Sequence, residues 1–181
     1  MPDLLAQWLA DEAAQNERRA ATPPPSPATQ AAALSMSGLA FMEASVRGEL
    51  PFAPIGLTMD FMLVEVGFGR AVFQGTPSAK FHNPMGGLHG GWYATLLDSA
   101  LGCAVHTALP AGKAYTTLEF KVNLVRAIGP QVQRVRAEGH TLHVGSQTAT
   151  SEARIVGPDG KLYAHANTTC LVFEPRAPAR G

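Results

Sequence analysis

The sequence predicts an α+β domain: a curved, mostly antiparallel sheet wrapped around one long central helix, with an N-terminal helical extension. Two observations predict it. Residues 88–109 are apolar nearly all round, the signature of a buried helix and not of an amphipathic one. Around them lie segments of two-residue alternation, two before and three or four after, separated by glycine-bearing turns. A helix apolar on every side, next to a mostly antiparallel sheet, has to be wrapped by that sheet.

The elements follow in chain order. Leu4, Leu5, Trp8 and Leu9 stand at helical spacing, so residues 3–20 form a short amphipathic helix. The stretch 21–33 (ATPPPSPATQAAA) is a Pro/Ala linker that builds no core. Ser37 caps a further helix over about residues 38–48, with Leu39, Met42 and Val46 on one face. Strands follow at Leu57–Glu65 and Arg70–Thr76, flanking the Gly67-Phe68-Gly69 turn. Residues 77–87 are loop, and Pro110 and Gly112 end the long helix. Thr116, Leu118, Phe120, Val122 and Leu124 alternate with Thr117, Glu119, Lys121 and Asn123 along the next strand. Val132–His143, Ser146–Val156 and Leu162–Phe173 are the last strands, the final two joined by the Gly157–Gly160 turn. The expected organisation is an extension over residues 1–50, a main domain over 51–175 and a disordered tail over 176–181.

Bulk properties narrow the function. Of 181 residues, 46% are apolar and 15% charged, which is enough to bury a real core. Fourteen basic residues balance fourteen acidic ones, which argues against a general nucleic-acid binder. An anionic ligand must therefore be held locally. Cys103 and Cys170 lie in no disulfide or zinc spacing, and His106, His140, His143 and His165 form no ligand set. Asp3 stands where a signal peptide needs positive charge. The 88–109 stretch carries Asp98, two histidines and three glycines, which weighs against a membrane span. The expectation is a cytoplasmic protein.

The chemistry concentrates between Asn83 and Asp98. Gly86, Gly87, Gly90 and Gly91 cluster just before and inside the first turn of the long helix. Each interior helical glycine costs roughly 1 kcal/mol; what it offers is close approach of a backbone N–H to a ligand. The first N–H groups of a helix are unpaired and its dipole favours negative charge there. Gly90 or Gly91 is thus placed to stabilise a developing oxyanion, although a tight turn and close helix packing are the simpler use of such glycines. Asp98 is the only formal charge in the buried stretch. Such a carboxylate is paired, solvated in a cavity, or functional. Gly90 and Asp98 are eight residues apart, about 12 Å along a helix. One reacting carbonyl cannot sit against both groups of the same chain. Either they do not cooperate, or a two-fold axis brings Asp98 of the partner subunit beside Gly90, giving a dimer with antiparallel central helices and two equivalent sites.

The pattern Asn83-x5-His89-Gly90-Gly91-x6-Asp98-Ser99-Ala100-x-Gly102, followed by Thr116-Thr117-Leu118-Glu119-Phe120, resembles the PaaI-like branch (phenylacetate-degradation thioesterases) of the hotdog superfamily. The resemblance covers about residues 55–173 and leaves the N-terminal 35 residues peripheral. It implies a hotdog fold, hydrolysis of an aryl- or fatty-acyl-CoA, no metal or other cofactor, and a homodimer that pairs into a dimer of dimers. It implies that Asn83 hydrogen-bonds the water or thioester, that the Gly90 N–H is the oxyanion donor and that His89 supports the loop. Asp98, from the opposite subunit, is the general base or nucleophile. The family's orienting hydroxyl falls on Thr117 by motif offset, whereas strand alternation turns Thr116 toward the face of Leu118 and Phe120, so both are candidates. Gly91, Trp92 and Met85 are the candidate substrate contacts. Ser146 follows Gly145 where relatives often carry a basic residue. The CoA phosphates are then left to Arg126, Arg134, Arg136 or Arg154, residues that on strands more often form a solvated face. Two other readings stay open: a non-catalytic acyl-CoA-binding regulator, and an enoyl or hydroxyacyl thioester (de)hydratase using His89.

Overall fold

The computed structural model describes residues 3–175; the 176–181 tail lies outside them. Five helices precede or interrupt six strands: α1 Leu4–Ala21, α2 Pro27–Ser35, α3 Gly38–Val46, α4 Pro54–Thr58 and α5 Gly90–Thr107, with β1 Phe61–Gly67, β2 Arg70–Gly75, β3 Ala114–Leu124, β4 Val135–Val144, β5 Thr148–Val156 and β6 Leu162–Phe173. All neighbours pair antiparallel, in the order β1-β2-β4-β5-β6-β3, so β1 and β3 are the edges. The sheet curves around α5, as the alternation and the apolar helix predict. This is the hotdog architecture. Among the described residues no helix is long and apolar enough to cross a membrane.

Seating α5 on the sheet is the main packing event. Leu96, Leu97, Ala100, Leu101, Ala104 and Val105 have no exposed surface. Burying one such leucine stabilises the fold by about 1.5–3 kcal/mol. The helix comes so close to β4 that a Cβ at Gly139 would collide with the Ala100 carbonyl. Glycine is therefore required in mid-strand, where it otherwise weakens the sheet.

Two departures from the sequence expectation have a local cause. Part of the Pro/Ala linker is helical: Pro27 sits in the first turn of α2, where its missing N–H is no loss, and Ser26 and Thr29 form a reciprocal capping box. The first strand begins at Phe61 and not at Leu57, because Pro54 starts the short α4.

The extension is fastened to the sheet by polar contacts. Gln74 and Arg136 point away from α5 and are buried under α1. Arg136 lies 4.7 Å over the Trp8 ring and donates to Asp11, Glu65 and Gln74. Arg134 forks onto Glu12, which also accepts from Gln74. Burial raises the Glu12 carboxyl, but the hydrogen bonds from Arg134 and Gln74 outweigh it and leave the net value below normal. A carboxylate depressed in the folded state adds stability that is present above its unfolded pKa and lost as pH falls through the folded value. Glu138, depressed by Arg70 and Arg154 against its own burial, acts with the same sign.

Arg136→Ala should therefore cost about 2–3 kcal/mol, roughly 5–10 °C in Tm by calorimetry, and the wild-type Tm should fall on acidification below about pH 5. A change under about 2 °C would show that α1 is held by apolar packing alone.

Candidate active site

The loop before α5 is organised by Asn83. Its Oδ1 accepts from the N–H groups of Met85 (2.9 Å) and Gly87 (3.2 Å), and its own N–H donates to the Gly87 carbonyl at 2.8 Å. Gly86 completes the turn with φ +79°, a value that suits glycine. The Asn83 oxygen is thus committed to the fold, while its Nδ2 has no acceptor among the described residues. Asn83 is left as a donor.

His89 caps α5. Its Nδ1 accepts from the Gly91 N–H at 2.9 Å, and its backbone N–H donates to Phe81. That occupies Gly91. The Gly90 N–H has no acceptor among the described residues, and the Leu124 side chain lies against this glycine. Of the two glycines, Gly90 alone presents an available N–H at the positive end of the helix.

Two turns further along the same helix, Asp98 is half-buried. Its Oδ1 accepts from the Thr117 hydroxyl at 3.2 Å, and it has no basic partner among the described residues. Thr117 rather than Thr116 reaches it because β3 carries an irregularity between Thr117 and Glu119. Thr117, Phe120, Val122 and Leu124 pair with Cys170, Thr168, Ala166 and Ala164 of β6, whose side chains are all buried. Simple alternation fails at Leu118, where one extra residue flips the parity. Thr116 is exposed on the other face.

Of the expected substrate contacts, Trp92 belongs to the core instead. It is 1% exposed, its Nε1 donates to the Met59 carbonyl, and it packs against Phe81 and Tyr93. Met85 is 92% exposed at the loop tip, and Gly91 is exposed on the first turn. Of the four arginines proposed for CoA, Arg134, Arg136 and Arg154 are engaged by Glu12, by Asp11 and Glu65, and by Glu138. Only Arg126, exposed just beyond Leu124, has no carboxylate partner among the described residues.

One feature went unseen in the sequence. Ser99, Cys103 and His106 form a stripe on α5 that, with Tyr115, lines a largely apolar cavity of about 330 Å³. The i, i+4, i+7 spacing was the signal available. Burial, and then the Asp98 carboxylate, push the Cys103 thiol up to about 12, so it is no nucleophile at neutral pH. Ser99, the residue after Asp98, lines this cavity, so the carboxylate's turn of α5 borders it. Among the described residues no group of three His, Cys, Asp or Glu side chains is arranged to hold a metal ion.

Residues 85–164 match the family model described as the thioesterase superfamily. A 1,4-dihydroxy-2-naphthoyl-CoA hydrolase of Listeria monocytogenes is 28% identical over 119 residues, 66% of this chain and 95% of that protein. The phenylacetic acid degradation protein PaaI of Thermus thermophilus, in a mutant structure, superposes with a TM-score of 0.59 at 26% identity, covering 66% of this chain and 98% of that one. PaaI of Escherichia coli shares the fold with a TM-score of 0.64 at 22% identity, covering 77% and 96%. The family model and these neighbours agree with the resemblance drawn from the loop-helix motif.

The loop geometry has a direct check. Asn83→Ala should speed amide exchange at Met85 and Gly87 by tenfold or more, while Asn83→Asp, which keeps the acceptor, should not. Equal protection in both variants would remove Asn83 as the organiser of the loop.

Proposed function

We propose that the chain is an acyl-CoA thioesterase whose site is shared across a homodimer interface, with Gly90 and Asn83 from one protomer and Asp98 from the other. The observation that carries this is Asp98: a half-buried carboxylate with a hydroxyl partner, no basic side chain paired with it among the described residues, and an apolar cavity lined by the next residue, Ser99. Such a group is oriented but left free to take a proton or attack a carbon.

The chemistry follows from what each group still has to offer. The thioester oxygen accepts from the Gly90 N–H and the Asn83 Nδ2, the two donors left unpaired near the helix start. Asp98 of the partner subunit, aimed by Thr117, removes a proton from water as the oxygen attacks the carbonyl carbon. Collapse of the tetrahedral adduct breaks the carbon–sulfur bond, and the CoA thiolate leaves and is protonated. Alternatively Asp98 attacks directly and water hydrolyses the resulting anhydride. His89 holds the first turn of α5 in shape. Arg126, two residues beyond the Leu124 that touches Gly90, is the residue we assign to the CoA phosphates.

The β3 edge supports a second copy. Leu118, Phe120, Leu124 and Val125 are 59%, 37%, 53% and 53% exposed along or just beyond an edge strand. An apolar edge of this kind invites pairing with another chain. Pairing of dimers into a tetramer is part of the same proposal. The name of the Listeria relative supports a CoA thioester as substrate class. A dehydratase would need His89 as its acid or base; the Nδ1 of that residue accepts the helix-cap bond, which leaves only its Nε2 for such a role.

Thiol release from benzoyl-, phenylacetyl- and octanoyl-CoA tests the reading. Wild type should hydrolyse at least one of them, and Asp98→Asn should lose at least about a hundredfold in kcat. Equal rates in the two proteins would remove Asp98 from the mechanism.

A further inference from the structure

The end of α1 and the segment ahead of β1 enclose a cleft of about 640 Å³ that is lined by no residue of α5 or of the sheet. It therefore lies apart from the candidate active site. Its size falls within the range of small-ligand sites. Pro23, Pro24, Pro25, Pro51 and Pro54 supply much of the wall, with Phe52 and Leu57. Proline carries no backbone N–H, so these residues offer a ligand apolar surface and no main-chain donor. Leu57 is 63% exposed, which leaves that surface open.

The donors are concentrated on α1. The Thr22 hydroxyl also lines the cleft, but it is spent on the Arg18 and Gly48 carbonyls. That leaves Arg19 and Asn16, three residues apart and so on one face of the helix. Arg19 has no carboxylate partner among the described residues, unlike Arg134 and Arg136. Its Nε is buried without a hydrogen-bond partner. Asp60, the carboxylate whose charge reaches Arg19, is already held by Lys80 at 2.7 Å. The Phe52 ring lies 5.8 Å from the guanidinium carbon and keeps the planar fork against the apolar wall. The chain thus holds a cation among apolar side chains with nothing of its own to neutralise it. An anion that brings its own acceptors compensates such a charge best, and a carboxylate matches the fork of a guanidinium.

We propose that this cleft is an accessory site for a free carboxylic acid with an apolar body, the carboxylate on Arg19 and Asn16 and the body along the prolines and Leu57. Charge complementarity selects the acid, because Arg19 is the one charged residue in the lining and no carboxylate stands there to repel an anion. The apolar wall selects the body. The inference goes beyond the thioesterase reading and stands without it, although a free acid is the class of product that reaction would release. Arg19, Pro51 and Phe52 also line the cavity beside α5, so a bound acid touches a wall that the two spaces share.

Calorimetric titration of the full chain with octanoate, 1-octanol and acetate separates head from body. Octanoate should bind saturably, and each of the other two should bind about tenfold or more weaker, because each lacks one half of the contact. Arg19→Gln should bring octanoate to the level of the alcohol. Leu57→Asp, at an exposed position, should weaken octanoate by about tenfold or more. Circular dichroism confirms that both variants fold, and amide shifts on adding octanoate should centre on Arg19, Thr22 and Phe52. Absence of saturable octanoate binding, equal affinity for octanoate and either control, or affinity that survives both substitutions would overturn the proposal, the last by placing the acid elsewhere. None of these readouts involves turnover, so the Asp98→Asn comparison succeeds or fails independently of them.

Discussion

Everything in this protein is arranged around the rigidity of α5. The helix is buried along its length and seated so tightly on β4 that Gly139 admits no side chain. It carries Gly90 at its positive end and Asp98 two turns later, and a helix cannot bend to bring them together. The same stiffness that holds each group in place separates them by about 12 Å, which is why the proposed site takes Asp98 from a second α5. In the proposed function catalysis and assembly become one requirement, and the apolar β3 edge is the surface proposed to meet it.

The N-terminal extension answers a different problem. A helix wrapped by one curved sheet leaves one flank uncovered, and α3 packs there, with the Gly38 N–H bonded to the Leu109 carbonyl. The α1 helix lies on the opposite face of the sheet, fixed by the Arg134 and Arg136 ion pairs. Those arginines were candidates for CoA because their charge is visible in the sequence, while Glu12 and Asp11 lie more than a hundred residues away. Paired charges on a sheet face are fastenings, and the free Arg126 is the better candidate for phosphate.

Much of the fold was legible because two periodicities carry it. The all-round apolar stretch gave α5 to within two residues at each end, and Leu162–Phe173 matched β6 at both ends. Where local chemistry competed with pattern, reading failed. Pro27 opens a helix inside a segment whose composition reads as linker, and the bulge at Leu118 reverses the alternation that favoured Thr116. In the candidate site, residue types were legible but their commitments were not. That the Asn83 oxygen and the Gly91 N–H are already used, leaving Asn83 Nδ2 and Gly90, follows only from three-dimensional bonding. The cavity was hidden for the same reason, since about half its lining comes from residues ahead of β1, outside the Asn83–Asp98 motif.

The central claim, one site built from two protomers, is tested most directly by subunit mixing. Asp98→Asn and Asn83→Asp proteins, each nearly inactive alone, are co-expressed or refolded together so that dimers scramble. Half the dimers are then mixed, and each mixed dimer has one intact site, so about a quarter of wild-type thioesterase activity should return. Activity that stays at the level of the two parents would contradict the account and place Asn83, Gly90 and Asp98 in separate roles.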